Sequence, residues 1–209
     1  MGSWIAIIVA MLMAAAQPAP AAQAPAPPAP PQDQFQYPLA AWSPHCLGFG
    51  SRWRYCNGVA LRTCASGAVW LHTGTDEVAT VGEPVAAAAD GVIAGYLIDP
   101  QFRGGVLIRH QLSTGPVITQ YWHVWLRSGV AVGTRVTRGE VFASVADMGD
   151  RTHFHFAVFN GDMESHAWNG ALPPGACSGF PAFPYRFVDP TAFIESHLPP
   201  VRLPRAARF

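Results

Sequence analysis

From about residue 66 the chain consists of short apolar runs set between Gly and Pro turns, which is the pattern of β-strands. Gly82-Glu83-Pro84 leads into the run Val85–Ala89, and Asp90-Gly91 leads into Val92–Tyr96. Asp-Gly suits a tight hairpin, so these two runs are expected to pair across it. Val106–His110 and Val117–Tyr121 flank the turn Ser113-Thr114-Gly115-Pro116. Further short segments lie between Gly129 and Gly139, then come Glu140–Val145 and a last strong strand, His153–Phe159. A helix is expected only at Pro190–His197, and it is short. The pattern predicts an all-β fold.

The first 31 residues read differently. Trp4–Ala16 is an apolar run shorter than the roughly 20 residues a helix needs to cross a bilayer. Small residues follow it, which predicts a signal peptide within residues 1–24, cleaved after Ala16 or after Ala24. The alternative is an uncleaved membrane anchor, since no Lys or Arg precedes the run. No cysteine lies near the cleavage region, which argues against a lipid anchor. Residues 17–31 are almost all Ala, Pro and Gln and predict an extended linker of about 3.1 Å per residue. Residues 32–65, rich in Cys, Trp, Tyr and Arg and without a clear period, read as a cap. Residues 66–198 are long enough for one sizeable core, and 199–209 form a tail.

Thirteen Arg and no Lys balance thirteen acids, and no basic stripe or RNA-binding motif appears. Nucleic acid is therefore not the expected partner. Cys46, Cys56, Cys64 and Cys177 form an even set, which in an exported chain predicts two disulfides, Cys46 with Cys56 and Cys64 with Cys177. None of their spacings is the C-x₂₋₄-C of a structural zinc site.

The candidate chemistry lies in His72-Thr73-Gly74-Thr75-Asp76 and in His153-Phe154-His155. The glycine lets the first segment turn sharply. On a strand, residues i and i+2 face the same way, so His153 and His155 project toward one site. Two imidazoles and a carboxylate are a common ligand set for a catalytic zinc, which keeps one position open. His123, in Thr119-Gln120-Tyr121-Trp122-His123, adds a further imidazole. There is no His-Glu-x-x-His.

These motifs resemble those of the lysostaphin-type zinc endopeptidases, peptidoglycan hydrolases with His-x-Gly-x-Asp and His-x-His. The resemblance extends to Gly82-Glu83-Pro84-Val85 with Asp90-Gly91, to Thr119–His123, to Gly133-Thr134-Arg135-Val136-Thr137-Arg138-Gly139, and to Val188-Asp189-Pro190. It implies antiparallel sheets forming a groove-bearing lysostaphin-type (duplicated hybrid motif) domain with little helix. Residues 66–198 become a zinc endopeptidase domain, and 161–184 an insertion in it. It further implies Zn2+ bound by His72, Asp76 and His155, with His123 and His153 as catalytic groups off the metal. The implied substrate is peptidoglycan peptide stems or cross-bridges. The implied protein is a monomer, secreted or periplasmic and cell-wall associated, with no stable membrane span after signal cleavage. Two alternatives are a non-catalytic activator of another wall hydrolase and a peptidase acting on extracellular proteins.

The chain departs from the family pattern in the loop Asp147–Arg151, at Ala157 and at Glu77. His110, His166 and His197 are expected to face solvent, and His45 to be structural. Glu77 and Asp150 are expected to be solvated or ion-paired. Strand alternation turns Trp122 away from the face of His123. Residues 32–65 are expected to lie over the groove and hold the enzyme latent.

Overall fold

The computed structural model describes residues 33–54, 59, 63–164, 168, 170–172 and 179–200. Residues 1–32 and 201–209, Cys56, Cys177 and His166 lie outside them, and so do the expectations for the signal, the linker, the tail and the disulfide pairing. Among the described residues no cysteine is a free thiol. No described helix is long and apolar enough to cross a membrane.

The strands are β1 (Leu71–His72), β2 (Gly74–Glu77), β3 (Pro84–Ala86), β4 (Gly91–Asp99), β5 (Arg103–Leu112), β6 (Gly115–Leu126), β7 (Arg135–Val136), β8 (Val141–Val145), β9 (Phe154–Phe159), β10 (Ala171–Leu172) and β11 (Phe187–Val188). The α-helix α1 spans Pro190–Ser196. Nine strands form one antiparallel sheet, ordered β11-β9-β6-β5-β4-β7, with β2 on β9, β8 on β6 and β3 on β8. The fold is thus all-β with little helix, in line with the apolar pattern. The Asp90-Gly91 hairpin is not formed: β3 pairs with β8, whereas β4 pairs with β5 and β7. The turn serves long-range contacts instead. Asp90 accepts hydrogen bonds from Arg138 N at its carboxylate (2.7 Å) and from the His110 ring at its carbonyl (2.8 Å).

Alternation along the long strands gives the sheet two apolar faces. One carries Val106, Ile108, Tyr121, Phe154 and Phe156 into the main core, with Phe142 and, from outside the sheet, Phe35, Leu39 and Ile194. Burying each of the large side chains contributes about 1.5–3 kcal/mol. Trp42 packs edge-on against Phe156 and donates to Thr191 Oγ1, tying the N-terminal segment to α1. That helix starts as its sequence dictates: Pro190 occupies its first turn, and Asp189 accepts from Thr191 N and Ala192 N. The other face carries Leu107, Ile118, Ala157 and Phe159, covered by Phe49, Trp168 and Phe180.

His110 is a correction to the solvent-facing expectation, being 1% exposed. It shares the core face with Val106 and Ile108, four and two residues back along β5. Its Nδ1 donates to Asp90 O and its Nε2 lies 2.7 Å from Thr119 Oγ1, which is 3.1 Å from Tyr121 Oη. Tyr121 in turn accepts from Ala88 N. Glu77 is likewise buried rather than solvated: it lies on the core face opposite Phe154, and Thr75 Oγ1 donates to it at 2.8 Å. Burial, before any partner, raises its carboxyl. Asp150 is exposed, and His197 is partly buried against Phe35 and Phe193.

Candidate metal centre

Register assembles the site. β2 runs antiparallel to β9 with Asp76 opposite His155 and Gly74 opposite Ala157, and β9 places His155 opposite Trp122 of β6. Directly paired residues share a face, so Asp76, His155 and Trp122 meet on the second face of the sheet. Gly74 is needed there. A Cβ would stand 2.2 Å from Phe156 O and 2.9 Å from His155 Cε1.

His72, Asp76 and His155 are buried, and one donor atom from each lies within 4.8 Å of the others. His72 Nε2 is 2.8 Å from His155 Nδ1 and 3.2 Å from Asp76 Oδ1, and His155 Nδ1 is 3.0 Å from Asp76 Oδ1. Ligands bound to zinc at about 2.0–2.1 Å in a tetrahedron stand about 3.3 Å apart. The spacing of these two nitrogens and one oxygen therefore fits the donor set of a zinc ion. His72 has its tautomer set from behind: Nδ1 is 3.2 Å from Gly48 O, a pure acceptor, so Nδ1 carries the proton and Nε2 the lone pair.

His153 and His123 stand beside the cluster with ring centroids 4.4 Å apart. His153 Nε2 is 3.4 Å from Asp76 Oδ2, the oxygen not shared with His72 and His155. Both rings are locked in the same way as His72. His123 Nδ1 donates to Phe102 O at 2.9 Å and His153 Nδ1 to Arg151 O at 2.7 Å, which leaves Nε2 of each neutral ring as the basic atom.

His123 reaches the site through a β-bulge. Its φ is +65°, and it is the extra residue where Gly104 pairs with Val124 and Gly105 with Trp122. The bulge interrupts alternation, so Trp122 and His123 both belong to the site face, contrary to the expectation that Trp122 turns away. Two glycines accommodate it. A Cβ on Gly104 would lie 2.0 Å from Val124 O, and one on Gly105 would lie 2.7 Å from the Trp122 indole. Ala146 N donates to the His123 carbonyl at 2.7 Å and holds the left-handed backbone. Gln120 and the Trp122 Nε1–H are buried on this face without a hydrogen-bond partner.

The electrostatics follow from burial and crowding. Burial alone would raise the Asp76 carboxyl, but His72, His155 and His153 outweigh it and hold the group well below the ordinary carboxylate range. Burial lowers His155, opposed by Asp76, and burial with the neighbouring His153 lowers His123 well below an ordinary histidine. A lowered His155 beside a lowered Asp76 favours a neutral imidazole facing an ionised carboxylate, the pairing a divalent cation requires.

Residues 71–167 match peptidase family M23. The chain carries an M23 peptidase domain. Over 111 residues it is 38% identical to the peptidoglycan DD-endopeptidase ShyC of Vibrio cholerae serotype O1, an alignment covering 52% of this chain and 24% of that protein. The chain thus spans about a quarter of that relative's length. Among solved structures it is similar to a zinc-containing peptidase from Vibrio cholerae (24% identity, TM-score 0.45, 60% of this chain and 36% of that one). It is also similar to the catalytic domain of lysostaphin from Staphylococcus simulans (17% identity, TM-score 0.48, 74% and 92%).

The M23 match begins at the first residue of β1, so the carbonyl of Gly48 and the ring of His45 lie outside it. His45 stacks on His153 with centroids 5.2 Å apart and planes 4° from parallel.

Proposed function

We propose that the protein is an exported zinc metallopeptidase that hydrolyses peptide bonds in bacterial peptidoglycan. The observation that carries this reading is the convergence of three donor atoms beside two imidazoles whose Nε2 atoms are left basic. His72 Nε2, Asp76 Oδ1 and His155 Nδ1 would hold the zinc. When bound, it supplies a Lewis acid and a lowered pKa for water at neutral pH. His123 and His153 do the proton work. Water adds its oxygen to the scissile carbonyl carbon, one Nε2 takes the proton, and the leaving amine nitrogen receives it as the C–N bond breaks. Burial favours the neutral form of His123, so it starts the cycle ready to accept.

Peptidoglycan as substrate is supported by the likeness to ShyC, whose name states that activity. Export is supported by the N-terminal apolar run with its small-residue cleavage sites and by the even set of four cysteines. The complete donor set favours a hydrolase over a non-catalytic activator of the same fold. The purified protein is expected to hold about one zinc and to reduce the turbidity of a peptidoglycan suspension, and His155→Ala to do neither. Clearing by His155→Ala at the wild-type rate would overturn the proposal. A Gly-rich peptide digested alongside separates wall peptides from extracellular protein as the substrate.

A further inference from the structure

The segment from Ser43 to Arg52 is bound to the donor strands along its length. Its isolated bridges pair Pro44 with Glu77 and Arg52 with Leu71. Asp76 is held on both sides of its peptide: its N–H donates to Leu47 O and its carbonyl accepts from His45 N, both at 2.8 Å. His72 is held in the same way, by Ser51 O at 2.8 Å and Gly50 N at 2.9 Å, and its ring by Gly48 O. The segment is thus a wall of the site along β1 and β2.

From these contacts we propose that His45 is a positioning residue for His153. Three contacts define the His153 ring. Arg151 O fixes the Nδ1 edge, His123 meets the ring edge-on at 63°, and His45 lies flat against it. Together they direct Nε2 toward Asp76 Oδ2. The backbone of His45 is itself bonded to Asp76, so the ring stacked on His153 is carried by the same strand pair that carries the carboxylate. Removing the stack frees the ring to rotate, and a reactive group held loosely loses rate while metal binding is left intact. The stack also gives a role at the site to a histidine that precedes the family match, which begins at residue 71.

The test uses the full chain as wild type, His45→Ala and His45→Phe, since phenylalanine retains a flat ring without a nitrogen. The kinetic arm depends on the proposed hydrolase activity, and a second arm does not. In that second arm, the rate at which diethyl pyrocarbonate modifies His153 is followed by mass spectrometry of its peptide. For His45→Ala the inference gives zinc affinity within about twofold of wild type, kcat down about tenfold at unchanged KM, and faster modification of His153. His45→Phe keeps kcat within about threefold and protects His153 like the wild type. An unchanged or raised kcat in His45→Ala overturns the inference, the latter by making the segment a lid. A rise in KM alone, or equal impairment of both variants, also overturns it, by making His45 a substrate contact or a proton carrier. If the wild type cleaves no peptidoglycan, the hydrolase reading fails by itself. The modification rates of His153 then decide the inference, with equal rates in wild type and His45→Ala overturning it.

Discussion

The buried chain of polar groups through His110 makes the stability of the domain depend on pH in a way that one substitution isolates. Burial lowers the His110 imidazole to about 4, opposed by the Asp90 carbonyl. An unfolded chain protonates the same ring near its ordinary value of about 6.5. The folded state is therefore at full advantage above about pH 7 and loses it as the pH falls toward 4, because the unfolded state binds the proton first. The full difference is about 3 kcal/mol, and about 2 kcal/mol of it is lost between pH 7 and pH 5. His110→Met keeps an apolar side chain of similar size and removes the titration. It also removes the partners of Asp90 O and Thr119 Oγ1, at a cost of about 1–3 kcal/mol at pH 7. Denaturant unfolding followed by tryptophan fluorescence at pH 7 and pH 5 gives the comparison. His123 and His155 add slope of the same sign in both proteins and cancel in the difference. The gap between wild type and variant should narrow by about 2 kcal/mol on going to pH 5. A gap unchanged with pH would show that His110 is protonated in the folded protein at no cost, and the account of the network would be wrong.

His123→Ala and His153→Ala should each keep zinc within a few-fold of wild type while losing about 10²–10⁴ in kcat, whereas His72→Ala should lose the metal. Equilibrium dialysis with zinc and initial rates on peptidoglycan separate the two classes, and metal loss in either of the first two would place that histidine among the ligands. Gly74→Ala brings a Cβ within 2.2 Å of a backbone carbonyl of β9. It should cost about 3 kcal/mol in denaturant unfolding and weaken zinc in chelator competition; a wild-type midpoint would contradict the register between β2 and β9. Zinc present at about 100 times its Kd should stabilise the wild type by about 2.7 kcal/mol. A chelator should remove that gain from the wild type and leave the His155→Ala midpoint unmoved.

The strands were legible in the sequence because apolar alternation and turn residues act locally. Even the burial of His110 follows from that alternation, since Val106, Ile108 and His110 share a face of β5; weighing the residue type over the pattern misplaced it. The burial of Glu77 was not legible in this way, because Gly74-Thr75-Asp76-Glu77 has no apolar alternation and only its pairing with β9 sets Glu77 opposite Phe154. Pairing was less legible. Asp90-Gly91 has hairpin chemistry, but β3 pairs with β8, with Val85 buried opposite Ala143, and does not turn back on β4. The bulge at His123 was hidden because its cause lies on another strand, in Gly104 and Gly105. Of the site, the side chains on β1, β2, β6 and the start of β9 were legible from their motifs. The carbonyls of Gly48, Phe102 and Arg151, which set the three tautomers, were not. Backbone acceptors carry no residue signature, and long-range folding alone determines which of them meets a given ring.

The most direct test of the central claim is mass spectrometry of the soluble products from purified peptidoglycan after incubation with wild type, wild type plus chelator, and His155→Ala. The account predicts that only the untreated wild type releases fragments cut in their peptide portion, each cut adding one water. No such fragments from the zinc-loaded wild type, or the same fragments in all three reactions, would contradict it.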